Sequence, residues 1–345
     1  MATLTPNDIS DLVAGTLYEL GRLKFQQIAQ NLQSYEIFSH WFKKERMSFD
    51  GGIGIQRTLM NRFDSNAAKH VGMSDPDDVN ITDLIDQLQV PWRHVQTTWG
   101  FFYSETLINR GKAMVFNVIK PRRDSAMLAL VEELENKAWT APASTDKKNP
   151  YGIPYWIVKN ATTGFNGGAP SGWSTVGGVS LTDSPNFKNY TAQYTSVTKS
   201  DLVKKMRTAL RKTKFTSPLP GNSDYTTGSE KFRIYVNETT FASMEDIGEA
   251  QNENLGKDIA PTQYGTGSLM FRGFPIVWVP KLDGDTTNPV YGINHDTFHV
   301  VCLEGDYLRE SENKAPHQHN AHQQFVDLTY NYLCLDRRRN FVLSN

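Results

Sequence analysis

The last third of the chain alternates short apolar runs with polar turns. Residues 232–237 form an apolar run rich in β-branched and aromatic side chains, and a helical pattern begins near Thr239. Runs of this composition predict strands. Further strand-like runs occupy residues 269–280, 290–294, 298–309 and 324–336.

Helical spacing of apolar residues marks three other segments. An amphipathic pattern covers residues 7–45. Residues 121–140 form the clearest helix, with Pro121 suited to its first turn, while residues 113–119 before it fit either a strand or a helix. A third helix follows Ser200, which we expect to cap it. The polar face of that helix carries Lys204, Lys205, Arg207, Arg211 and Lys212.

Residues 47–99 are strand-like but interrupted by glycine at Gly51, Gly52 and Gly54. Glycine weakens a strand and often marks a close approach of another backbone. We therefore predict a long two-stranded hairpin, which is unstable in water unless something covers it. A neighbouring subunit would supply that cover. The apolar residues expected to contact the neighbour are Phe49, Ile53, Ile55, Leu59 and Met60.

Residues 141–190 are rich in glycine, proline, serine, threonine and asparagine. Within them, residues 149–158 form an aromatic segment that predicts a strand and a turn. The aromatic side chains need a core, so we expect long loops on one domain and not a linker between domains.

The composition is that of an ordinary folded protein. The 345 residues are 39% hydrophobic and 21% charged, and the formal net charge is −1. Near-neutrality argues against tight binding of duplex DNA, since phosphate neutralisation supplies most of such affinity. The two cysteines, Cys302 and Cys334, lie in predicted strands without zinc-site spacing, which indicates buried thiols. Neither a secretory signal nor a membrane-spanning run is apparent.

The order of the C-terminal elements resembles that of tailed-bacteriophage major capsid proteins with the HK97-like fold. The most specific residues of the resemblance are 273–280, with the sequence Gly-Phe-Pro-Ile-Val-Trp-Val-Pro, followed by 291–294 and 304–307. In that family a similar run crosses the axial domain and is followed by a turn and two strands. The resemblance extends over most of the chain, as one of element order, and it implies an α+β fold class.

The resemblance implies a division of the chain into five parts. These would be an N-terminal arm (1–46), an extended loop that reaches over the adjacent subunit (47–100), a peripheral domain with a long spine helix (101–149), an axial domain (150–310) and a return to the peripheral domain (311–345). The implied product is an icosahedral head of pentamers and hexamers that encloses double-stranded DNA.

The same resemblance implies the partners and the location. We expect the chain to bind copies of itself, a separate scaffolding protein and a portal, with a decoration protein as a further candidate. Packaged DNA would be contacted without sequence preference. Assembly would take place in the host bacterial cytoplasm, and the mature protein would be part of the virion. Some relatives join subunits through a lysine–asparagine bond, but nothing singles out Lys69 on the extended loop for that role.

Several other residues could have a chemical role, and each has a structural alternative. The basic residues Arg122, Arg123, Arg337, Arg338 and Arg339 are candidates for facing DNA or an adjacent subunit. His317, His319 and His322 form a weak candidate metal site, with a solvated turn as the default. No catalytic site or cofactor is expected. The alternatives left open are an encapsulin-like compartment shell and, less favoured, a hydrolase or carbohydrate-binding enzyme, suggested by the aromatic loops.

One acidic motif also invites a catalytic interpretation. Asp283 and Asp285 follow an apolar strand, as the paired carboxylates of a phosphatase-type loop would. Only about 60 residues remain after them, too few for the rest of such a domain at usual sizes. A tight acidic turn between strands explains the motif better.

Overall fold

The computed structural model describes residues 35–60, 68–73, 83–104, 114–214, 231–253, 269–312, 314 and 320–345. Most of the helix predicted over residues 7–45 therefore lies outside the described residues. Within them, no helix has both the length and the apolar character needed to cross a bilayer.

Five strands form one sheet around a long central strand. Strand β15 (Ala321–Cys334) pairs antiparallel with β4 (Arg93–Phe102) on one side and with β13 (Phe298–Leu303) and β14 (Arg309–Glu310) on the other. Strand β1 (Arg46–Phe49) adds to β13 in parallel. The strand predicted over 298–309 is therefore two strands with a turn between them.

Seven strands form the second sheet, in the order β10-β11-β9-β12-β16-β8-β5. Glycine at position 292 lets the Phe341 ring lie directly across the central strand, because a Cβ there would come within 2.1 Å of that ring. The predicted strands at 232–237 and 290–294 are confirmed. The strands are β5 (Gly164–Gly167), β8 (Asn189–Gln193), β9 (Phe232–Val236), β10 (Met270–Phe271), β11 (Phe274–Trp278), β12 (Val290–Asn294) and β16 (Phe341–Ser344).

Two short two-stranded sheets complete the β structure. In one, β2 (Gly54–Met60) pairs antiparallel with β3 (Ile85–Pro91). In the other, β6 (Thr175–Val176) pairs with β7 (Val179–Ser180) across the turn at Gly177. The hairpin predicted within the extended loop is thus present, but it is shorter than 47–100, because β1 and β4 belong to the five-stranded sheet.

The longest helix, α2 (Met114–Ala138), crosses the main core behind the five-stranded sheet. It begins before Pro121, so the prediction that Pro121 lies in the first turn is wrong. The open choice for residues 113–119 is settled as helix from Met114 onward. Leu130 and Leu134 are buried, as the predicted apolar stripe requires.

The remaining helices are shorter. Helix α1 is a π-helical turn (Ile37–Trp41) continued by Phe42–Lys44. Helix α3 (Ile153–Trp156) replaces the strand predicted within 149–158, because a proline at its second position favours a first helical turn. Helices α4 (Leu202–Thr213) and α5 (Glu238–Glu253) confirm the two predicted around the seven-stranded sheet, and Pro280–Leu282 and Arg337–Arg339 are 3₁₀ turns.

The start of α4 differs from its prediction. Asp201 and not Ser200 precedes the helix. The Asp201 carboxylate accepts hydrogen bonds from the backbone N–H groups of Thr195 and Ser196 and pairs with Lys205 at 2.5 Å. It therefore anchors the turn before the helix, while the Ser200 hydroxyl lies 3.3 Å from that of Thr198.

The seven-stranded sheet has a different core on each face. Helices α4 and α5 pack on the face that carries Ile234 and Val236, and Met206 and Met244 are buried there. The opposite face, with Tyr235 at its centre, joins the main core that contains α1, α2 and the five-stranded sheet. Cys302 and Cys334 are free and buried in that main core, which confirms the prediction of buried thiols.

The two sheets cut across the predicted domain boundaries. Strand β13, placed in the axial domain by the 150–310 boundary, pairs with β15 and so belongs to the five-stranded sheet. Strand β16, placed with the return to the peripheral domain, lies between β12 and β8 in the seven-stranded sheet. The C-terminal segment therefore joins both sheets, and the boundary at residue 310 does not coincide with a division between them.

Candidate assembly surface

The hairpin of β2 and β3, hereafter the flap, has two unlike faces. Its register pairs Ile55 with Val90 and Arg57 with Leu88 on one face. Ile55, Leu88 and Val90 are buried, although the sequence predicted that Ile55 contacts a neighbour. This inner face is covered by the subunit itself.

The inner face of the flap packs on the turn between β6 and β7. Gly177 accepts a hydrogen bond at its carbonyl from the Gln89 backbone N–H, at 2.7 Å. It has φ +58, and an added Cβ would lie 2.5 Å from a methyl of Leu88 and 2.9 Å from the Trp156 ring. Only glycine suits this contact, since the conformation and the space both exclude a side chain. The base of the flap is thus docked on its own chain.

The outer face of the flap is polar but uncharged. Gln56 and Thr58 on β2 lie opposite Gln89 and Gln87 on β3, and all of them are exposed. The Gln87 amide donates to Gln56 at 3.4 Å, and the Gln89 amide donates to Gln87 at 3.2 Å. Side-chain amides both donate and accept, so this face can hydrogen-bond to another surface without pairing charges.

The far end of the flap is apolar and exposed. Met60 and Ile85 are directly opposite each other, and each keeps 58% of its surface accessible. Val71 and Met73, beyond the end of β2, are also exposed. Apolar patches of this kind mark surfaces that another molecule covers. Ile53, at the near end of β2, is fully exposed as well.

The five apolar residues predicted to contact a neighbour therefore separate into three groups. Ile53 and Met60 are exposed and available. Phe49 and Leu59 are partly buried against the main core, and Phe49 lies beneath the Arg57 guanidinium, 4.8 Å from its ring centroid. Ile55 is inside. Ile85, Val71 and Met73 were not predicted, although strict alternation from the buried Leu88 in β3 would have placed Ile85 on the outer side.

A second exposed apolar end lies where β4 ends and β15 begins. Phe102 and Tyr103 each keep nearly half of their surface accessible. His322 lies on β15 next to this end, with its ring 5.2 Å from that of Phe101. His317 and His319 lie outside the described residues, and the part of the chain that the structure describes contains no cluster of three or more metal-ligating side chains.

The predicted basic candidates are mostly engaged within the chain. Arg123 forms an ion pair with Glu310, and Arg122 donates to the Gly100 carbonyl at 3.2 Å. Arg338 pairs with Asp336 at 3.1 Å. Arg339 is buried, with 8% of its surface accessible.

Arg337 is fully buried and is therefore not a surface residue. Its guanidinium donates to the carbonyls of Trp156 at 2.6 Å, Phe187 at 2.9 Å and Gly168 at 2.8 Å, and to the Asn189 side chain at 3.2 Å. Burial lowers the pKa of Arg337 to about 10. The residue ties the loops of 156–189 to the C-terminal segment and cannot face DNA or a neighbouring subunit.

A buried polar junction holds α1 against α2 and the seven-stranded sheet. The Glu135 carboxylate accepts from the Ile37 backbone N–H at 3.0 Å and from the Trp139 indole at 3.1 Å. Burial raises the pKa of Glu135 to about 7. The Trp41 indole donates to the Tyr235 hydroxyl at 2.9 Å. The described end of the N-terminal arm thus packs inside its own subunit.

Two histidines and an ion pair, all buried or partly buried, adjoin this junction. Glu36 lies 2.7 Å from Arg233, and the rings of His40 and His295 are 5.2 Å apart. Burial lowers the pKa of His40 to about 4, with Arg233 and Lys44 adding to the shift. Burial likewise lowers the pKa of His295 well below its usual range. Both rings are therefore neutral at neutral pH.

The two features that suggested an enzyme have structural roles. Asp283 accepts from the Glu238 backbone N–H at 2.8 Å and from the Trp278 indole at 3.1 Å. Asp285 pairs with Lys159 and binds Thr287, which closes the acidic turn.

The aromatic side chains of the loops form part of the main core. Tyr151 and Tyr155 stack with centroids 4.1 Å apart, and Trp156 is fully buried beside them. Trp173 packs edge-on against both tyrosines. These rings do not present a flat, exposed platform to a sugar.

A groove of about 470 Å³ lies between β4 and α2. Trp99, Pro121 and Ala126 line it, and its one charged lining residue is Arg122, which binds Gly100. The groove lacks the paired titratable groups that acid–base catalysis requires. The exposed ends of the flap and of β4 are consequently the features of the described surface that most suggest a function.

Comparison with solved structures identifies the fold. The cyanophage A-1(L) capsid asymmetric unit matches with a TM-score of 0.65 and 13% identity, over 95% of this chain and 98% of that chain. The capsid of the native GTA particle matches with a TM-score of 0.54 and 11% identity, over 95% and 97%. No protein-family model and no curated protein matches the sequence. The chain has the HK97-like capsid fold, which is of the α+β class, as the sequence resemblance predicted.

Proposed function

We propose that this chain is the major capsid protein of a tailed bacteriophage. Copies of it assemble into pentamers and hexamers, and these form an icosahedral head around double-stranded DNA. The observation that carries the proposal is the match to the cyanophage A-1(L) capsid, which spans nearly the whole of both chains. A fold alone does not define a function, so the surface must supply the rest of the support.

The flap gives the proposal its mechanism. Its base is docked on its own subunit, while Met60 and Ile85 at its far end remain exposed. Burying a large apolar side chain contributes roughly 1.5–3 kcal/mol, so an adjacent copy that covers this end gains binding energy. The end of one subunit would meet a different surface of the next. Such heterologous contacts close into rings when the rotation between copies allows it.

The partners follow from the same proposal. A separate scaffolding protein and a portal would act during assembly in the host bacterial cytoplasm, and a decoration protein is a further candidate. The mature protein would reside in the virion. Its role would be structural, with no catalytic step and no cofactor.

The purified chain tests the proposal directly. Size-exclusion chromatography should yield rings or very large particles, and negative-stain electron microscopy should reveal closed shells. An encapsulin-like compartment would also form shells, and only its shells would capture a cargo peptide. A chain that stays monomeric or dimeric at every concentration, with or without a scaffolding protein, would contradict the proposal.

A further inference from the structure

Helix α4 (Leu202–Thr213) has a basic outer face that nothing in the described chain neutralises. Its apolar side, including Leu202, Met206 and Leu210, is buried against the seven-stranded sheet. The opposite side and its flanks are occupied by cations. Those that are exposed or partly exposed are Lys199, Lys204, Arg207, Arg211, Lys212 and Lys214.

These cations lack acidic partners among the described residues. The one carboxylate of the helix start, Asp201, is already paired with Lys205 at 2.5 Å. Arg211 donates to the Arg207 carbonyl at 3.3 Å, which holds its guanidinium along the helix surface. Like charges three and four residues apart on a helix repel one another.

The basic residues that the sequence singled out for DNA contact differ in this respect. Arg337 is buried among carbonyls, Arg338 pairs with Asp336, and Arg123 pairs with Glu310. The chain as a whole has a formal net charge of −1. Among the described residues, the outer face of α4 therefore groups several cations without an acidic partner, whereas the arginine triplet does not.

We infer that this face of α4 binds the sugar-phosphate backbone of double-stranded nucleic acid, without sequence preference. The inference rests on the proposed function, because the enclosed DNA is the polyanion it identifies. Phosphates attract a row of cations electrostatically and need no apolar anchor. Protein interfaces, in contrast, are enriched in aromatic residues and depleted in lysine. The exposed large apolar residues of the described chain lie elsewhere, on the flap, at the end of β4 and at the edges of the seven-stranded sheet.

The test compares two triple variants of the full-length protein. In the first, Lys204→Gln, Arg207→Gln and Arg211→Gln neutralise the helix face. In the second, Lys147→Gln, Lys148→Gln and Lys188→Gln remove the same charge from loops outside α4. Binding of a fluorescently labelled random-sequence duplex is measured by anisotropy across a salt series, on capsomers of each protein. Circular dichroism checks that each variant is folded.

The expected result is a selective loss of salt-dependent binding. Each phosphate contact contributes about 0.9 to the slope of log affinity against log salt, so the helix variant should lose a slope of about 2.7. The loop variant should keep the slope of the unmodified protein. An equal loss in both variants, or no duplex binding by the unmodified protein, overturns the inference.

Shell formation separates this inference from the proposed function. If the unmodified protein forms shells but the helix variant binds duplex with an unchanged slope, the inference fails and the proposed function stands. If the helix variant binds duplex normally but no longer forms shells, the face contacts another copy of the chain, and the inference also fails. If no protein forms shells under any condition, the proposed function fails, whatever the duplex measurements give.

Discussion

The body of the subunit and its flap bury apolar residues to very different extents. In the body, the two sheets enclose side chains such as Ile234 and Tyr332 with no accessible surface. In the flap, burial is confined to the base and the inner face, and Met60 and Ile85 remain more than half exposed. The body buries its apolar side chains within a single chain, whereas the flap does so only at its base and on its inner face.

The difference shows where the chain depends on a partner. A two-stranded hairpin alone is marginally stable in water. Docking on Gly177 and Trp156 stabilises the base of the flap, but no described residue covers its far end. The body should therefore tolerate changes to the far end of the flap, whereas assembly should not. The following predictions test that separation, beginning with the largest expected effect on stability.

Replacing Arg337 should damage the body most. Arg337→Met leaves the carbonyls of Trp156, Phe187 and Gly168 without their donor. Each buried carbonyl left without a donor costs about 1–3 kcal/mol, so the loss of all three donors should cost several kcal/mol. Chemical denaturation of the two proteins measures the loss in the free energy of unfolding. Arg338→Met is the matched control, since an exposed ion pair with Asp336 contributes at most about 1 kcal/mol. Equal losses in the two variants would show that Arg337 does not hold the loops.

Truncating the inner face of the flap should undock it from the body. Leu88→Ala removes a buried side chain that touches the glycine turn, and such changes cost about 2–5 kcal/mol. Hydrogen exchange should reveal faster exchange in β2 and β3 with unchanged protection in β9 and β12. Gln87→Ala, on the outer face, should leave both regions protected. Faster exchange in β9 after the Leu88 change would mean that the flap and the body unfold together.

The stability of the body should depend on pH through Glu135. Its pKa is raised from 4.5 to about 7, so the folded state holds this proton more tightly than the unfolded state does. The resulting stabilisation is present below about pH 4.5 and is lost as the pH rises through about 7. At about 1.4 kcal/mol per pKa unit, the rise from 4.5 to about 7 corresponds to a loss of roughly 3–3.5 kcal/mol.

Glu135→Gln isolates this effect. The variant should lose less stability than the unmodified protein between acidic and mildly alkaline pH, as measured by denaturation midpoints. His40 acts in the opposite direction, because its pKa is lowered from 6.5 to about 4. Its contribution is present above about pH 6.5 and is lost as the pH falls through about 4. The same alkaline loss in both proteins would exclude Glu135 as its source.

Changing the far end of the flap should affect the subunit least and assembly most. Met60→Ser with Ile85→Ser should alter the free energy of unfolding by under about 0.5 kcal/mol, since both side chains are exposed. Shell formation, scored by electron microscopy, should fall sharply. Gln56→Ser with Gln87→Ser is the control on the same hairpin. Normal shells from the apolar double variant would show that this end is not an assembly contact.

The sequence was most informative where the pattern is local. Strand β12 was predicted with its observed bounds, and β9, α4 and α5 followed from short runs with clear periodicity. Period-two and helical spacing are properties of neighbouring residues, so they can be recognised without knowing the fold. The resemblance at 273–280 then connected these elements to a known architecture. The interruption of the 298–309 strand was missed because its turn follows an otherwise continuous apolar run.

The roles of individual residues required the assembled structure. Arg337 belongs to a basic triplet that is typical of a solvated surface, yet its hydrogen-bond partners lie as many as 181 residues away in the chain. Ile55 and Met60 are both apolar residues of one strand, yet Ile55 is buried in the main core and Met60 keeps 58% of its surface accessible. The sequence by itself determined the kinds and order of most of the elements, because backbone preference and periodicity act over a few residues. The tertiary structure alone decided which charges are buried and which apolar faces remain open, because burial depends on segments that meet only after folding.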